Sequence, residues 1–375
     1  MKKALLCLVA LILLFSLCSC SLLAVFEQEE ATGESDQEPL LHQHAFEQWE
    51  TATAPTCSDT GLSRSACTCG VTQTRPIAAT GEHAYNTANI CTKCGKAKAS
   101  DRLGEIITLG EYPQTVMPVD FVPDVTDQDG SPVLDARGYY AHSDGSYYAR
   151  LTVDLWSYKK YGSYYDYTDG SDFCFTDGTK VTQNSVRYFK VEPLRWRVIG
   201  EADGKLTLLC ESIITARKFD DYSIFYNNSN LRAWLNEGFL NAAFDAQEKK
   251  LLMQTGVDNS PESTNNAAAG TTCSPTEDYV YLPSYRELTT AAFGFSADSS
   301  ANDPARQKMT TDYARACGAY FDNTPACEGY GAWWTRSPLK SDYTQTVNSK
   351  GNVNVASTFT AELVGVVPAI TVSAE

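Results

Sequence analysis

From Leu103 onward, apolar residues alternate with polar ones in short runs separated by turn residues. Leu194-Arg-Trp-Arg-Val-Ile199 has the two-residue period of a strand, Asp203-Gly204 supplies a hairpin turn, and Leu206 to Ile213 returns as the partner. Asn230 is a suitable N-cap for a helix that places Leu231, Trp234 and Leu235 on one face, with Trp234 in the core. A second helical stretch runs from Asp245 to Met253. Tyr279 to Leu282 reads as a strand, Ser284-Tyr-Arg-Glu287 has the spacing of a capping box, and Asp303 to Ala316 reads as a further helix. Ala332 to Arg336 returns to strand, with Trp333 and Trp334 on opposite faces, one in the core and one at the rim. A hairpin through Lys350-Gly351 joins Thr344–Ser349 to Asn352–Ser357, and Val364 to Val372 closes the pattern. The whole predicts one α+β domain with hairpins and several helices.

The other end of the chain has a different texture. Lys2 and Lys3 precede an uncharged apolar run, Ala4 to Leu17, which is the pattern of a secretory signal. The run ends in Leu17-Cys18-Ser19-Cys20, which resembles the lipobox of bacterial lipoproteins. The resemblance implies cleavage after residue 19, lipidation of Cys20, and tethering to the outer face of the cell membrane. The competing reading is an uncleaved anchor, since the uncharged stretch continues to Phe26 and is long enough to span a bilayer of about 20 residues. Residues 20–41 are acidic, with little to bury, and read as a disordered linker. The sequence has 30 basic and 46 acidic side chains, a formal charge of −16. Such a surface repels phosphate backbones, so nucleic acid is excluded as the expected partner.

Residues 42–100 form a Cys-rich module with an internal repeat. His44-Ala-Phe precedes Cys67-Thr-Cys69-Gly70, and His83-Ala-Tyr precedes Cys91-Thr-Lys-Cys94-Gly95. The pattern resembles a small Cys-rich repeat of bacterial surface proteins, which carries no catalytic role. So few apolar residues cannot build an adequate core, and a cross-link or a metal is needed. Cys67, Cys69, Cys91 and Cys94 are the candidate ligands of one structural zinc in a ribbon-like site, with Cys57, His44 and His83 in reserve. Disulfides compete, as exported cysteines usually pair, although five cysteines leave one over.

Trp196–Ile199 (W-R-V-I), Asp203–Leu209 (D-G-x-L-x-L-L), Ser229–Asn236 (S-x-L-R-x-W-L-N), Asp278–Ser284 (D-x-V-x-L-P-S), Trp333–Pro338 (W-W-x-R-S-P) and Gly365–Ile370 (G-V-x-P-A-I) follow one another in order. This order resembles domain of unknown function 6273 over roughly Leu103 to Val372, with Val367 where that family has Arg. By analogy the layout is similar to the C-type-lectin-like superfold of formylglycine-generating enzymes, an analogy of fold that does not carry function. An insertion, about 120–186, interrupts it. Residues 139–175 hold nine tyrosines, whose rigid faces and edge hydroxyls suit sugar stacking or peptide contact. Tyr147, Tyr148, Trp156, Tyr164 and Tyr165, with Trp334 and Arg336 on the predicted late strand, are the candidate ligand-binding residues. A loop packed on its own aromatics is the competing reading.

Signatures of phosphate-cradling, dinucleotide and zinc-protease sites are absent, and the EF-hand pattern fails around Asp127. His142 is the only histidine beyond the module, so a Ser-His-Asp or Cys-His site would rest on it. Cys317 and Cys327 read as a local disulfide. The expectation is a lipid-anchored extracytoplasmic protein that binds a glycan or a surface protein without transforming it. The alternative is an extracytoplasmic hydrolase or formylglycine-generating-like oxidase acting on glycan or peptide.

Overall fold

The computed structural model describes residues 44–86, 91–95, 101–155, 173–265, 273–340, 342–353 and 357–374. The chain divides into two compact units, Met1–Ala54 with Thr60–Ala78, and Pro55–Asp59 with Ala79–Glu375. In the first, β1 (Glu50–Thr53), β2 (Gly61–Ala66) and β3 (Thr72–Ile77) form an antiparallel sheet in that order. Its strands are rich in Thr, Ser, Gln and Arg, and most of their side chains are exposed. This sheet therefore gains little from apolar burial, as the poverty of large side chains predicts.

The second unit is organised by one long strand. β4 (Ile106–Val116) lies along one edge of β7 (Val186–Ala202), while β6 (Tyr147–Thr152) and β8 (Lys205–Cys210) share the other edge. β5 (Tyr140–Ala141) extends the sheet beyond β6, and β19 (Ala369–Ser373) and β13 (Val280–Tyr281) extend it beyond β8. The alternation Leu194, Trp196 and Val198 points these side chains into the core, where Trp196 is fully buried and its indole N–H donates to the Leu109 carbonyl at 2.8 Å. Asp203 and Gly204 both adopt positive φ, as a tight two-residue hairpin requires.

A second sheet has the order β10 (Thr215–Arg217), β18 (Val364–Val366), β15 (Trp333–Lys340), β16 (Tyr343–Val347) and β17 (Ser357–Phe359). The predicted closing strand is thus two strands. The chain leaves β18 through the buried Val367 and Pro368 and enters the other sheet as β19. Two short pairs complete the strands: β9 (Ser212–Ile213) is parallel to β14 (Met309–Thr310), and β11 (Thr255–Val257) is antiparallel to β12 (Thr276–Asp278). The architecture is mixed α+β with antiparallel hairpins and short helices.

Several local expectations are corrected. The helix Asn230–Trp234 is capped by Ser229, whose hydroxyl accepts from the Arg232 N–H at 3.2 Å, so the cap lies one residue earlier than predicted. Trp234 is only partly buried, under the Arg217 guanidinium at 4.5 Å. Of Asp245–Met253 only Glu248–Lys250 is helical, as a 3-10 turn. Of Asp303–Ala316 only Asp312–Ala316 is helical, because the backbone of 308–310 pairs elsewhere: Met309–Thr310 runs beside β9, the Lys308 carbonyl accepts from Gly331 N–H, and Thr310 N–H donates to the Gly329 carbonyl. Trp333 and Trp334 are both buried, since each face of β15 is covered: their indole N–H groups donate to the carbonyls of Arg306 and Arg217. The capping box at Ser284 and Glu287 is complete in both directions.

The described part of the insertion packs as a series of tight hairpins. Gly130, Gly138, Gly145 and Gly178 each take a positive φ and donate back to the carbonyl three residues earlier, at Asp127, Asp135, His142 and Phe175. The Asp127 carboxylate that prompts a calcium comparison accepts from Asp129 and Ser131 N–H within its own turn. Phe173, Phe175, Val153, Leu155 and Val181 form a second small core with Phe189 and Val116. Trp156, Tyr164 and Tyr165 lie outside the described residues, as does Cys20.

Candidate metal centres

The tight turn 55–59 and the knuckle 91–95 bring four donors together. Thr56 fixes the first: its hydroxyl accepts from Asp59 N–H at 2.9 Å, and its N–H donates to the Asp59 carbonyl at 3.0 Å, which holds Cys57 between them. In the knuckle, Gly95 adopts a φ of 71° and its N–H donates to the Cys91 carbonyl at 2.8 Å, turning both thiols inward. Thr92 N–H donates to the Ala84 carbonyl at 2.7 Å, which lays the His83-Ala-Tyr segment against the knuckle. As a result Cys57, His83, Cys91 and Cys94 present donor atoms that all lie within 4.8 Å of one another. Cys57 Sγ is 3.9 Å from Cys91 Sγ, and His83 Nδ1 is 3.4 Å from Cys94 Sγ. A tetrahedral zinc with bonds of about 2.3 Å to sulfur and about 2.0 Å to nitrogen sets such edges at roughly 3.8 and 3.5 Å.

Burial pushes the Cys91 thiol up, but hydrogen bonds from His83 and from the N–H groups of Cys94, Lys93 and Ala84 outweigh it and bring it down to about 5. Burial and the neighbouring Cys94 and Cys91 push Cys57 up to about 11. The Cys91 thiol therefore ionises ahead of the Cys57 thiol, which burial holds back first and the neighbouring thiols second. Metal ligation takes each cysteine as thiolate, so a cation held here would displace the remaining thiol protons.

A second group has a similar build. His44, Cys67 and Cys69 have donor atoms within 4.8 Å of one another, and His44 Nδ1 lies 3.2 Å from Cys69 Sγ. Gly70, with a φ of 92°, donates to the Cys67 carbonyl at 2.8 Å. The sequence repeat is visible here as geometry: His44 stacks on Phe46 and His83 on Tyr85, both at 28° between ring planes. The single four-cysteine site expected from the spacing is therefore replaced by two groups. Cys91 and Cys94 combine with Cys57 and His83, and Cys67 and Cys69 combine with His44. Each knuckle meets the histidine of its own repeat, so the residues held in reserve stand among the candidate donors. Cys317 and Cys327 are both free thiols, so the local disulfide between them is not formed.

The candidate ligand-binding residues separate. β6 turns Tyr148 inward, 3% exposed against Phe121, and turns Tyr147 outward into a cleft of about 630 Å³ lined also by Glu111, Arg137, Asn241 and Lys249. Arg137 is held there by Asp135 at 2.9 Å and Glu111 at 3.2 Å, with its guanidinium 5.8 Å from the Tyr147 ring. Trp334 and Arg336 are 0% and 1% exposed and cannot form a contact face. Arg336 instead makes a two-pronged pair with Glu287, at 2.6 and 3.1 Å, and donates to the Leu282 and Asp258 carbonyls.

Other buried charges have comparable structural tasks. Arg306 spends its donors on the carbonyls of Gly351, Leu288, Ser296, Asp298 and Ala301, tying three loops together. Lys308 meets Glu211 at 2.9 Å, and Arg197 grips the same carboxylate at 2.6 Å. His142 stacks on Phe121 between the carboxylates of Asp124 and Asp144, and the Ser143 hydroxyl donates to Asp124. That hydroxyl is therefore not offered to the imidazole as a nucleophile would be.

Residues 203–374 match the family described as Domain of unknown function (DUF6273). The DUF6273 match begins at the β7–β8 turn, later than the Leu103 expected from the sequence, and so leaves out Trp196–Ile199, the hairpin insertion and both metal-donor groups. No curated protein and no solved structure matches the chain.

Proposed function

We propose that this chain is an exported lipoprotein, anchored to the outer face of a bacterial cell membrane through Cys20, whose lectin-like C-terminal domain binds a glycan or a surface protein without transforming it. Zinc at Cys57, His83, Cys91 and Cys94 ties the turn 55–59 to the knuckle 91–95. The reading of the domain as a binder rests on the Tyr147 cleft. Its ring offers a flat apolar face, and the ion pair of Arg137 with Asp135 and Glu111 fixes hydrogen-bonding groups at its edge before any ligand arrives. Preorganised aromatic and polar groups of this kind suit a sugar face with its hydroxyls. The buried carboxylates and cations support the same reading, since they are committed to backbone and to one another.

The test uses the full chain, screened against cell-wall fragments, a glycan panel and host surface proteins. Tyr147→Ala should weaken capture by about tenfold or more, the loss of about 1.4 kcal/mol or more, with an unchanged melting temperature. Undiminished capture by Tyr147→Ala would move the site elsewhere, and release of a cleaved or oxidised product from the captured ligand would replace the binding reading with the enzymatic one.

A further inference from the structure

We propose that His44, Cys67 and Cys69 form a second site for a zinc-like cation, bound through three protein donors and one exchangeable water, and that it loads and releases its metal separately from the Cys₃His centre. Three observations converge on it. The donors are already gathered, with His44 Nδ1 3.2 Å from Cys69 Sγ and every donor pair within 4.8 Å. The histidine is oriented by the same stacking on an aromatic two residues later that orients His83 in the four-donor group. The knuckle turn is closed by a glycine with positive φ in both copies, Gly70 and Gly95.

The two groups differ in what surrounds and completes them. In the four-donor group Cys57 and Cys91 are buried and His83 and Cys94 are partly covered, whereas in this group His44 and Cys69 are exposed and only Cys67 is buried. Cys57, the thiol of the first repeat that lies outside its knuckle, is given to the second group. Among the described residues the first group is left with three donors. Two thiolates and one imidazole select a soft or borderline d¹⁰ cation, zinc or copper(I), over calcium or magnesium. A tetrahedral ion with three protein ligands completes its shell with water, and an exposed site with a labile ligand exchanges faster than a closed one. Loading replaces the thiol protons of Cys67 and Cys69 with metal–sulfur bonds and releases those protons to solvent.

The experiment measures zinc per chain in the purified full protein and follows its removal by a chromogenic chelator. The expected result is two zinc ions released in two phases, the faster by about tenfold or more. Cys69→Ser should abolish the fast phase and leave the slow one, and Cys57→Ser should do the reverse. His44→Ala, at an exposed ring, supplies the same test if Cys69→Ser misfolds. Cobalt substitution gives an independent readout, since each variant should remove the thiolate-to-cobalt absorption of one site only. One zinc per chain that is unaffected by Cys69→Ser, a single release phase, or a Cys67–Cys69 disulfide in the metal-replete protein would each overturn the proposal.

Discussion

Glu211→Gln removes one negative charge from the core while keeping the side chain's shape. Lys308 is 2% exposed and has Glu211 as its carboxylate at 2.9 Å, while Arg197, more than a third exposed, can turn to water. Burial already holds the Lys308 amine below its ordinary value, against the pull of Glu211. Removing that carboxylate leaves an unpaired buried cation, which typically costs about 3–5 kcal/mol. In a domain of this size that lowers the melting temperature by roughly 10 °C. The second change Lys308→Met should restore much of the loss, because the cost lies in the stranded charge. The pH dependence follows from the same groups. Burial raises the Glu211 carboxyl, but Arg197 and Lys308 more than compensate and depress it from 4.5 to about 2. Its contribution is therefore present above about pH 4.5 and lost as pH falls towards 2, an amount of about 2 kcal/mol after allowance for solvent screening. In Glu211→Gln that acid-sensitive component should vanish, and stability should instead rise with pH as the depressed Lys308 amine deprotonates in the folded state alone. Thermal melts from pH 2 to 10 on the two variants and the parent give the answer. A melting temperature for Glu211→Gln within a degree or two of the parent, or a double variant no better than the single one, would refute the reasoning.

Arg306→Lys retains the charge but can satisfy only some of the five carbonyls that the guanidinium now binds, so a loss of about 3 kcal/mol or more is expected in urea denaturation. Gly351→Ala combines a φ of 82° with an added methyl that would meet the Asp303 carbonyl oxygen, and should cost about 2 kcal/mol or more by the same assay. Cys20→Ala should yield a precursor that takes up no labelled fatty acid, and persistent label would assign the lipid to another residue.

What was legible in the sequence was local. The alternation around Trp196, the Asp203-Gly204 turn and the Ser284–Glu287 box depend on neighbours within a few residues, and each forms. The expected helix from Asp303 fails because distant partners claim its backbone: Asp303 N–H donates to the Lys350 carbonyl, the Lys308 carbonyl accepts from Gly331 N–H, and Thr310 N–H donates to the Gly329 carbonyl. Periodicity alone cannot register such claims. The same holds for Trp334, whose outer face is covered by Phe219 from a segment more than 100 residues earlier. At the metal centres the donor types were readable and their grouping was not. Only the folded turns reveal that Cys57 meets the second knuckle, although the two H-x-aromatic segments already marked His44 and His83 as equivalent.

The position of β19 has a consequence for how the molecule comes into being. It lies inside the largest sheet, with β13 on one side and β8 on the other, although it is the last strand along the chain. Neither neighbour can complete its hydrogen bonding until residues 369–373 have been delivered, so the sheet cannot assemble progressively behind the ribosome. Its pairings span long stretches of sequence, which slows closure further. A chain lacking residues 369–373 would thus leave β8 and β13 each with an unpaired edge in the middle of the sheet. Joining of the sheet's two parts is then set by the arrival of β19.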